Sequence, residues 1–240
     1  KRVTLALACP LTALRPTIDR KREGSPMNLE VRQATRDDIP MLADVVMLAS
    51  RSHLPTGVFD LAILTNDEDR LKAVRATLGT EQRSWCHYEN FLVATVDGEP
   101  AAALSGYAAY DETLLPMEKA FIAGYQAINM TDEQIGAAFQ ASLVFLKVGS
   151  DDEQGAWIIE WVACLDKFRR RGLVRELLLA ILERGRERGH SLSQIGILSG
   201  NVSAQRAYEN VGFILDYEKT HPDFQQALGC PGLTRLLRRD

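Results

Sequence analysis

Residues 156–189 read AWIIEWVACLDKFRRRGLVRELLLAILERGRERG, and two kinds of pattern meet in them at a charged turn. AWIIEWVACL (156–165) is an apolar run rich in Trp, Ile and Val, the composition of a buried strand. LVRELLLAILERGRERG (173–189) has the apolar spacing of a long amphipathic helix, stopped at Gly189. Between them Arg169, Arg170 and Arg171 set three like charges against Gly172, where the helix begins. A helix start already carries unpaired N–H groups and a partial positive charge, so the arginines are unfavourable there unless an anion arrives. Gly172 permits a tight turn and removes the side chain that would hold a ligand away from the backbone. The N–H groups of the turn can then bind phosphate oxygens, with charge-assisted hydrogen bonds from the arginines. The expected partner is a pyrophosphate or a ligand with several phosphates. A solvated basic run is the commoner fate of three adjacent charges, and the run alone does not outweigh it.

Working outward, SQIGILSG (193–200) suits a strand and NVSAQRAYENVG (201–212) a short helix ending at Gly212. FILDYEKTH and LTRLLRR supply two last strands. Upstream, LEVRQA (29–34) alternates as a strand does, and Thr35 can cap a helix with Asp37 and Asp38 in its first turn. IPMLADVVMLAS has helical spacing, and NDEDRLKAVRATLG (66–79) reads as a helix opened by Asn66 or Asp67 and stopped by Gly79. Asp97-Gly98 between two strand-like runs predicts a hairpin of 88–97 with 99–109. Residues 111–155 read as helical, with Thr131 and Gln134 spaced as a capping box. They interrupt a strand-rich middle and are expected to be an insertion that faces the substrate.

The chain has 240 residues, 46% apolar and 25% charged, enough for a sizeable core in one large domain or two small ones. Its net charge of −4 argues against a nucleic-acid partner, and no stretch has the length of a membrane span. Cys9, Cys86, Cys164 and Cys230 are far apart and form no paired motif. With His53, His87, His190 and His221 sharing no spacing, reduced thiols in a cytoplasmic protein are expected and a metal site is not. Residues 1–26 carry six Lys/Arg against two Asp/Glu, leaving 22 against 30 for the rest, a net −8. Met27 follows, and MNLEVRQATRDDIP reads like the opening of a domain. The first 26 residues are therefore expected to be a flexible extension or an upstream or foreign remnant. An exported lipoprotein anchored at Cys9 is the alternative.

Two motifs together carry a family resemblance. RRRGLV (169–174) resembles the Q/R-x-x-G-x-G/A motif of the GCN5-related N-acetyltransferase (GNAT) superfamily. NVSAQRAYENVGF (201–213) resembles its second signature, N-x-x-A-x-x-x-Y-x-x-x-G-F, through Asn201, Ala204, Tyr208, Gly212 and Phe213. One helix and one strand separate them, as in the family, and LEVRQATRDDIPML is similar to its first strand and helix. The likeness covers 28 to about 240, with 111–155 poorly matched; Val174 stands where the first motif has Gly or Ala.

The resemblance implies a single α/β (α+β) domain over 27–240, a mixed, mostly antiparallel sheet with helices on both faces. It implies an N-acetyltransferase that moves an acetyl group from acetyl-CoA to a primary amine by direct attack, without a covalent enzyme intermediate at Cys164. Arg169, Arg170, Arg171, Gly172, Leu173 and Val174 would hold the pyrophosphate. Val162, Ala163 and Cys164 would pair with the pantetheine arm as an added strand does, and Asn201 would hydrogen-bond it. Tyr208 would protonate the leaving thiolate; a half-buried tyrosine packed on Phe213 is the bland alternative. The amine must be neutral to attack, so a base is needed. Glu160 is the candidate, because a carboxylate within an apolar strand is costly unless used or paired; facing solvent or an arginine is an equal alternative. Some relatives place a glutamate five positions before the signature Asn, where this chain has Gly196. Asp111, Glu112 and Glu118 are candidates to guide a cationic amine. The acceptor expected is a small-molecule or peptide amine, a homodimer is compatible with the sequence, and a net −8 favours a cationic acceptor by steering. A non-catalytic acyl-CoA sensor is the rival from another class. Succinyl or propionyl in place of acetyl would depend on the thioester pocket near Val162 and Leu198.

Overall fold

The computed structural model describes residues 28–149 and 151–240; the expectations for 1–26, including Cys9, lie outside the described residues. Seven strands form one sheet: β1 (Leu29–Gln33), β2 (Phe91–Val96), β3 (Glu99–Ala108), β4 (Trp157–Cys164), β5 (Leu192–Leu198), β6 (Ile214–Thr220) and β7 (Gly232–Arg239). Their order is β1-β2-β3-β4-β5-β7-β6, and every neighbouring pair is antiparallel except β4 with β5. This is the mixed, mostly antiparallel sheet expected from the sequence.

Nine helices accompany the strands among the described residues: α1 (Ile39–Arg51), α2 (Val58–Ala62), α3 (Asp67–Leu78), α4 (Met117–Ala127), α5 (Asp132–Ser142), α6 (Val144–Val148), α7 (Leu173–Glu187), α8 (Val202–Glu209) and α9 (Pro222–Leu228). α7 buries Leu173, Leu177, Leu178, Ile181 and Leu182 against one sheet face, beside Leu104, Trp157 and Ile159. That is the i, i+4, i+8 stripe of an amphipathic helix. α1 and α3 cover the opposite face, where Leu42, Val46 and Val74 meet Phe91, Val93 and Ala103. Helices therefore lie on both faces. Two glycines let α7 lie close: a Cβ at Gly106 would sit 2.7 Å from Ile181, and one at Gly185 would sit 2.7 Å from Trp157.

The local signals hold where a side chain closes them. Asn66 accepts from the Asp69 N–H at 2.9 Å and opens α3. Thr131 and Gln134 satisfy each other's N–H groups at 3.3 and 2.8 Å, a capping box at α5. Asp97 and Gly98 both have positive φ, 52° and 83°, as a tight two-residue hairpin requires. Several boundaries differ. Residues 36–38 form a 3₁₀ turn, and α1 starts only at Ile39 with Pro40 in its first turn. Residues 88–90 are a second 3₁₀ turn, so β2 begins at Phe91. The 111–155 segment is three helices within 117–148, flanked by irregular chain. α2 and α9, five and seven residues long, are too short to show a period in sequence.

Candidate active site

β4 and β5 pair only from Trp157↔Ser193 to Ile159↔Ile195. Beyond that point β4 keeps β3, and β5 keeps β7 as far as Leu198↔Leu233, while the two parallel strands part. The cause is a bulge. Between the pairs Ala103↔Ala163 and Ser105↔Glu160, β3 advances two residues and β4 three. The extra residue sits at Trp161, whose φ is 55°, a left-handed value that a bulky side chain rarely takes. The facing edges of 160–164 and 196–198 are left without ladder partners, a slot into which an extended, amide-bearing chain can insert. Gly196 lines this opening, and a Cβ there would meet nothing within 4 Å.

β4 leads into the arginine turn. Arg170 and Gly172 both have positive φ, 63° and 82°. Among the described residues, the backbone N–H groups of residues 170–175 find no acceptor; the first one used is that of Glu176, bonded to the Gly172 carbonyl at 3.2 Å. Six successive free donors at the start of α7 form an anion cradle. The three arginine side chains differ in what they do. Arg169 pairs with Asp166 at 2.9 Å and donates to the Cys164 carbonyl at 3.4 Å. Arg171 donates to the Lys167 carbonyl at 3.3 Å and lies over the Phe168 ring. Arg170 is exposed and contacts no acid among the described residues. Leu173 is buried under α7, so only its N–H can reach a ligand, and Val174 packs partly on the same core.

Asn201 caps α8. Its Oδ1 accepts from the Ala204 N–H at 3.0 Å, and its Nδ2 donates to the Ser52 Oγ at 2.6 Å. The asparagine thus ties the end of α1 to the corner after β5. Tyr208 is 5% exposed, sits edge-on to Phe213, and its hydroxyl makes no hydrogen bond among the described residues. Burial pushes its phenol well above the ordinary range. Glu160 is half-buried at the wall of the cleft and pairs with no arginine among the described residues. Its Oε2 is buried without a partner, and burial, followed by the charge of Asp152, raises its carboxyl to about 7 against the opposing pull of the Tyr107 phenol.

These residues line one cleft of about 1750 Å³, open between the slot and the 111–155 helices. Asp111 lines it too, but accepts from the Thr113 hydroxyl and lies 3.5 Å from Arg83. Glu112 is exposed, and the Glu118 side chain lies outside the described residues. Cys164 is half-buried, and burial raises its thiol, which disfavours the thiolate a nucleophile needs. Sequence patterns did not single out Tyr107, Asp152 or Gln194. Gln194 donates to Asp152 at 3.0 Å and accepts from the Glu153 N–H at 3.0 Å, pinning the end of the insertion to β5. Only the bulge and the tertiary fold bring these groups to Glu160. No group of three or more His, Cys, Asp or Glu residues is arranged to hold a metal among the described residues, and no helix there is long and apolar enough to cross a membrane.

The parting of the parallel strands thus runs into an N–H cradle, placing a slot and an anion-binding turn end to end. The chain belongs to the Acetyltransferase (GNAT) family, whose model matches residues 61–213, and the protein is an acyltransferase. No curated protein matches the sequence significantly. Among solved structures, a crystal structure of an acetyltransferase is 18% identical with a TM-score of 0.62, aligned over 88% of this chain and 98% of that one. An N-acetyltransferase from Staphylococcus aureus Mu50 is 20% identical (TM-score 0.57, 87% and 99% covered). A Drosophila melanogaster polyamine N-acetyltransferase that forms N-acetylagmatine is 15% identical (TM-score 0.51, 89% and 100% covered). At these identities the likeness establishes the fold.

Proposed function

We propose that the protein transfers the acetyl group of acetyl-CoA to a primary amine by direct attack, within one domain spanning 27–240 whose 111–155 insertion walls the acceptor side. The observation that carries this reading is the run of free N–H groups at 170–175, opening beside the unpaired edges of β4 and β5. The two features fit a ligand that is a pyrophosphate at one end and an amide-bearing arm along its length. Arg170 to Val174 bind the pyrophosphate through the backbone, and Arg169 and Arg171 hold the turn in shape through Asp166 and the Lys167 carbonyl. Val162, Ala163 and Cys164 hydrogen-bond the arm by their main chain, and Asn201 keeps the corner closed around it through its cap and Ser52.

When bound, acetyl-CoA supplies an activated acyl carbonyl and a thiolate leaving group. Glu160 accepts a proton from the incoming ammonium, a task suited to a carboxyl held near 7 at the wall of the cleft. An N–H at the end of β4 donates to the acyl oxygen. Tyr208 keeps its proton at every working pH and donates it to the departing sulfur. Direct titration with coenzyme A, followed by thiol release from acetyl-CoA over a panel of amines, tests the proposal. Gly172→Glu, which forces a side chain onto a φ of 82° in the cradle, should abolish coenzyme A binding. Unchanged calorimetric affinity in that variant would sink the cradle assignment, and binding without turnover on any amine would make the protein a sensor.

A further inference from the structure

Four aromatic rings close a circuit on the acceptor side of the cleft. Phe59 meets Phe121 at 5.6 Å between ring centres, Phe121 meets Trp85 at 6.3 Å, Trp85 meets Trp161 at 5.3 Å, and Trp161 returns to Phe59 at 5.5 Å. Phe59 is the buried floor, while Trp85, Phe121 and Trp161 line the cleft; Tyr125 extends the wall, stacked on Phe121 at 6.1 Å. Five buried side-chain polar atoms lack a hydrogen-bond partner among the described residues, and three belong to residues lining this cleft: Trp85 Nε1, Trp161 Nε1 and Glu160 Oε2. Native interiors rarely leave such groups unused. Glu160 precedes Trp161 in β4 and lines the same cleft. Cys86, beside Trp85 in the chain and part of the same cluster, feels the carboxylate's charge.

The other acids of the cleft are already engaged. Asp111 holds Thr113, Asp152 accepts from Gln194, and Asp151 lies 3.5 Å from Lys219. One carboxyl shares the cleft with the aromatic wall, and the outer rim is apolar: Ile122, Phe139 and Leu146, on the insertion helices, line the cleft and are 47%, 60% and 77% exposed. Exposed apolar groups gathered round a cleft mark a ligand site. A polycation needs several free acids at intervals; a single acid set in aromatic rings suits one ammonium on an apolar body.

Resting on the acetyltransferase reading above, we infer that the acceptor is a primary monoamine with an aromatic body, its nitrogen at Glu160 and its ring in the Trp85–Phe121–Trp161 wall. The probes are phenethylamine, spermidine and agmatine, each assayed by thiol release at saturating acetyl-CoA. Phenethylamine should have a kcat/KM at least tenfold above either polyamine-type substrate. Trp85→Leu should raise its KM about tenfold while leaving the coenzyme A Kd unchanged. Two of the chain's three tryptophans stand in the wall, so with coenzyme A bound, phenethylamine should change the intrinsic emission of the wild type saturably, a test that survives a poorly folding variant. Preference for spermidine or agmatine, or emission unmoved by phenethylamine while coenzyme A still binds, would overturn the monoamine and leave the acetyltransferase standing. Absence of coenzyme A affinity would remove both.

Discussion

Glu160→Gln should make the protein more stable and less active, and the gain in stability can be worked from the burial of the carboxyl. Its ordinary value of 4.5 is raised to about 7 in the fold, chiefly by desolvation. Below pH 4.5 the folded and unfolded states both hold the proton, and the group has no effect. Between 4.5 and 7 the unfolded chain releases its proton while the native state keeps it, so stability falls as the pH rises. Above 7 the full cost is present. At about 1.36 kcal/mol for each tenfold change in proton affinity, that cost is about 3 kcal/mol at pH 8 and about 1 kcal/mol at pH 5. Glutamine keeps the shape and removes the titration. Urea unfolding of both proteins at pH 5 and pH 8 reads the difference directly, because every other titrating group cancels to first order. The variant's advantage should grow by about 2 kcal/mol between the two pH values. Thiol-release assays on the same samples should give a wild-type kcat/KM that rises through an apparent pKa of about 7, and a variant kcat lower by about 10²- to 10⁴-fold. A variant no more stable than wild type at pH 8 would mean that the carboxylate is ionised and paired in solution, and the base assignment would lose its ground.

Three further perturbations probe other parts of the molecule. Tyr208→Phe keeps the edge-on packing against Phe213 and should lower kcat by about 10²-fold with little change in the KM for acetyl-CoA; equal turnover would end the general-acid role. Gly106→Ala sets a Cβ 2.7 Å from Ile181 and 2.8 Å from the Trp157 indole nitrogen, so it should cost about 1–3 kcal/mol by overpacking. A calorimetric Tm equal to wild type would mean that α7 lies further from the sheet. Arg235→Met removes a guanidinium, 8% exposed, that holds Asp216 at 2.5 Å, Glu153 at 2.8 Å and the Asp151 carbonyl at 2.8 Å. The two acids are partly exposed and can rehydrate, so a loss of about 2 kcal/mol is expected. Loosening of 151–153 should show as faster amide exchange there, and unchanged exchange would refute the clamp.

What could be read from the sequence was what local chemistry decides. The capping pairs at Asn66 and at Thr131 with Gln134, the Asp97-Gly98 turn and the apolar stripe of α7 each depend on residues within one or two turns of one another, so spacing alone reveals them. The glycine turn that opens α7 was legible for the same reason: Gly172 and the helix start are consecutive. In the fold Arg169 and Arg171 direct their guanidinium groups to the turn itself, and the backbone N–H groups of 170–175 are the free donors, an arrangement spacing alone does not show. The aromatic circuit could not be read at all. Phe59, Trp85, Phe121 and Trp161 come from four separate segments, and no period connects them. The same holds for Tyr107 and Asp152 beside Glu160, which three different stretches of chain bring together.

One inserted residue in β4 joins these parts. In an unbroken strand Glu160 and Trp161 would point to opposite faces, and β4 would go on pairing with β5. The bulge at Trp161 ends that pairing, which opens the slot beside the phosphate turn. It also leaves Trp161 on the α1 side of the sheet, among Phe59, Trp85 and Cys86, where Glu160 is felt as well. A left-handed conformation at a bulky residue costs on the order of 1–3 kcal/mol, and here the aromatic circuit around Trp161 holds it in place. Removing the strain by removing the bulge would therefore close the slot and turn the indole out of the wall together. The proposed carrier slot and the proposed acceptor wall thus meet at a single irregularity of the backbone, and the packing that stabilises it is the packing of that aromatic wall.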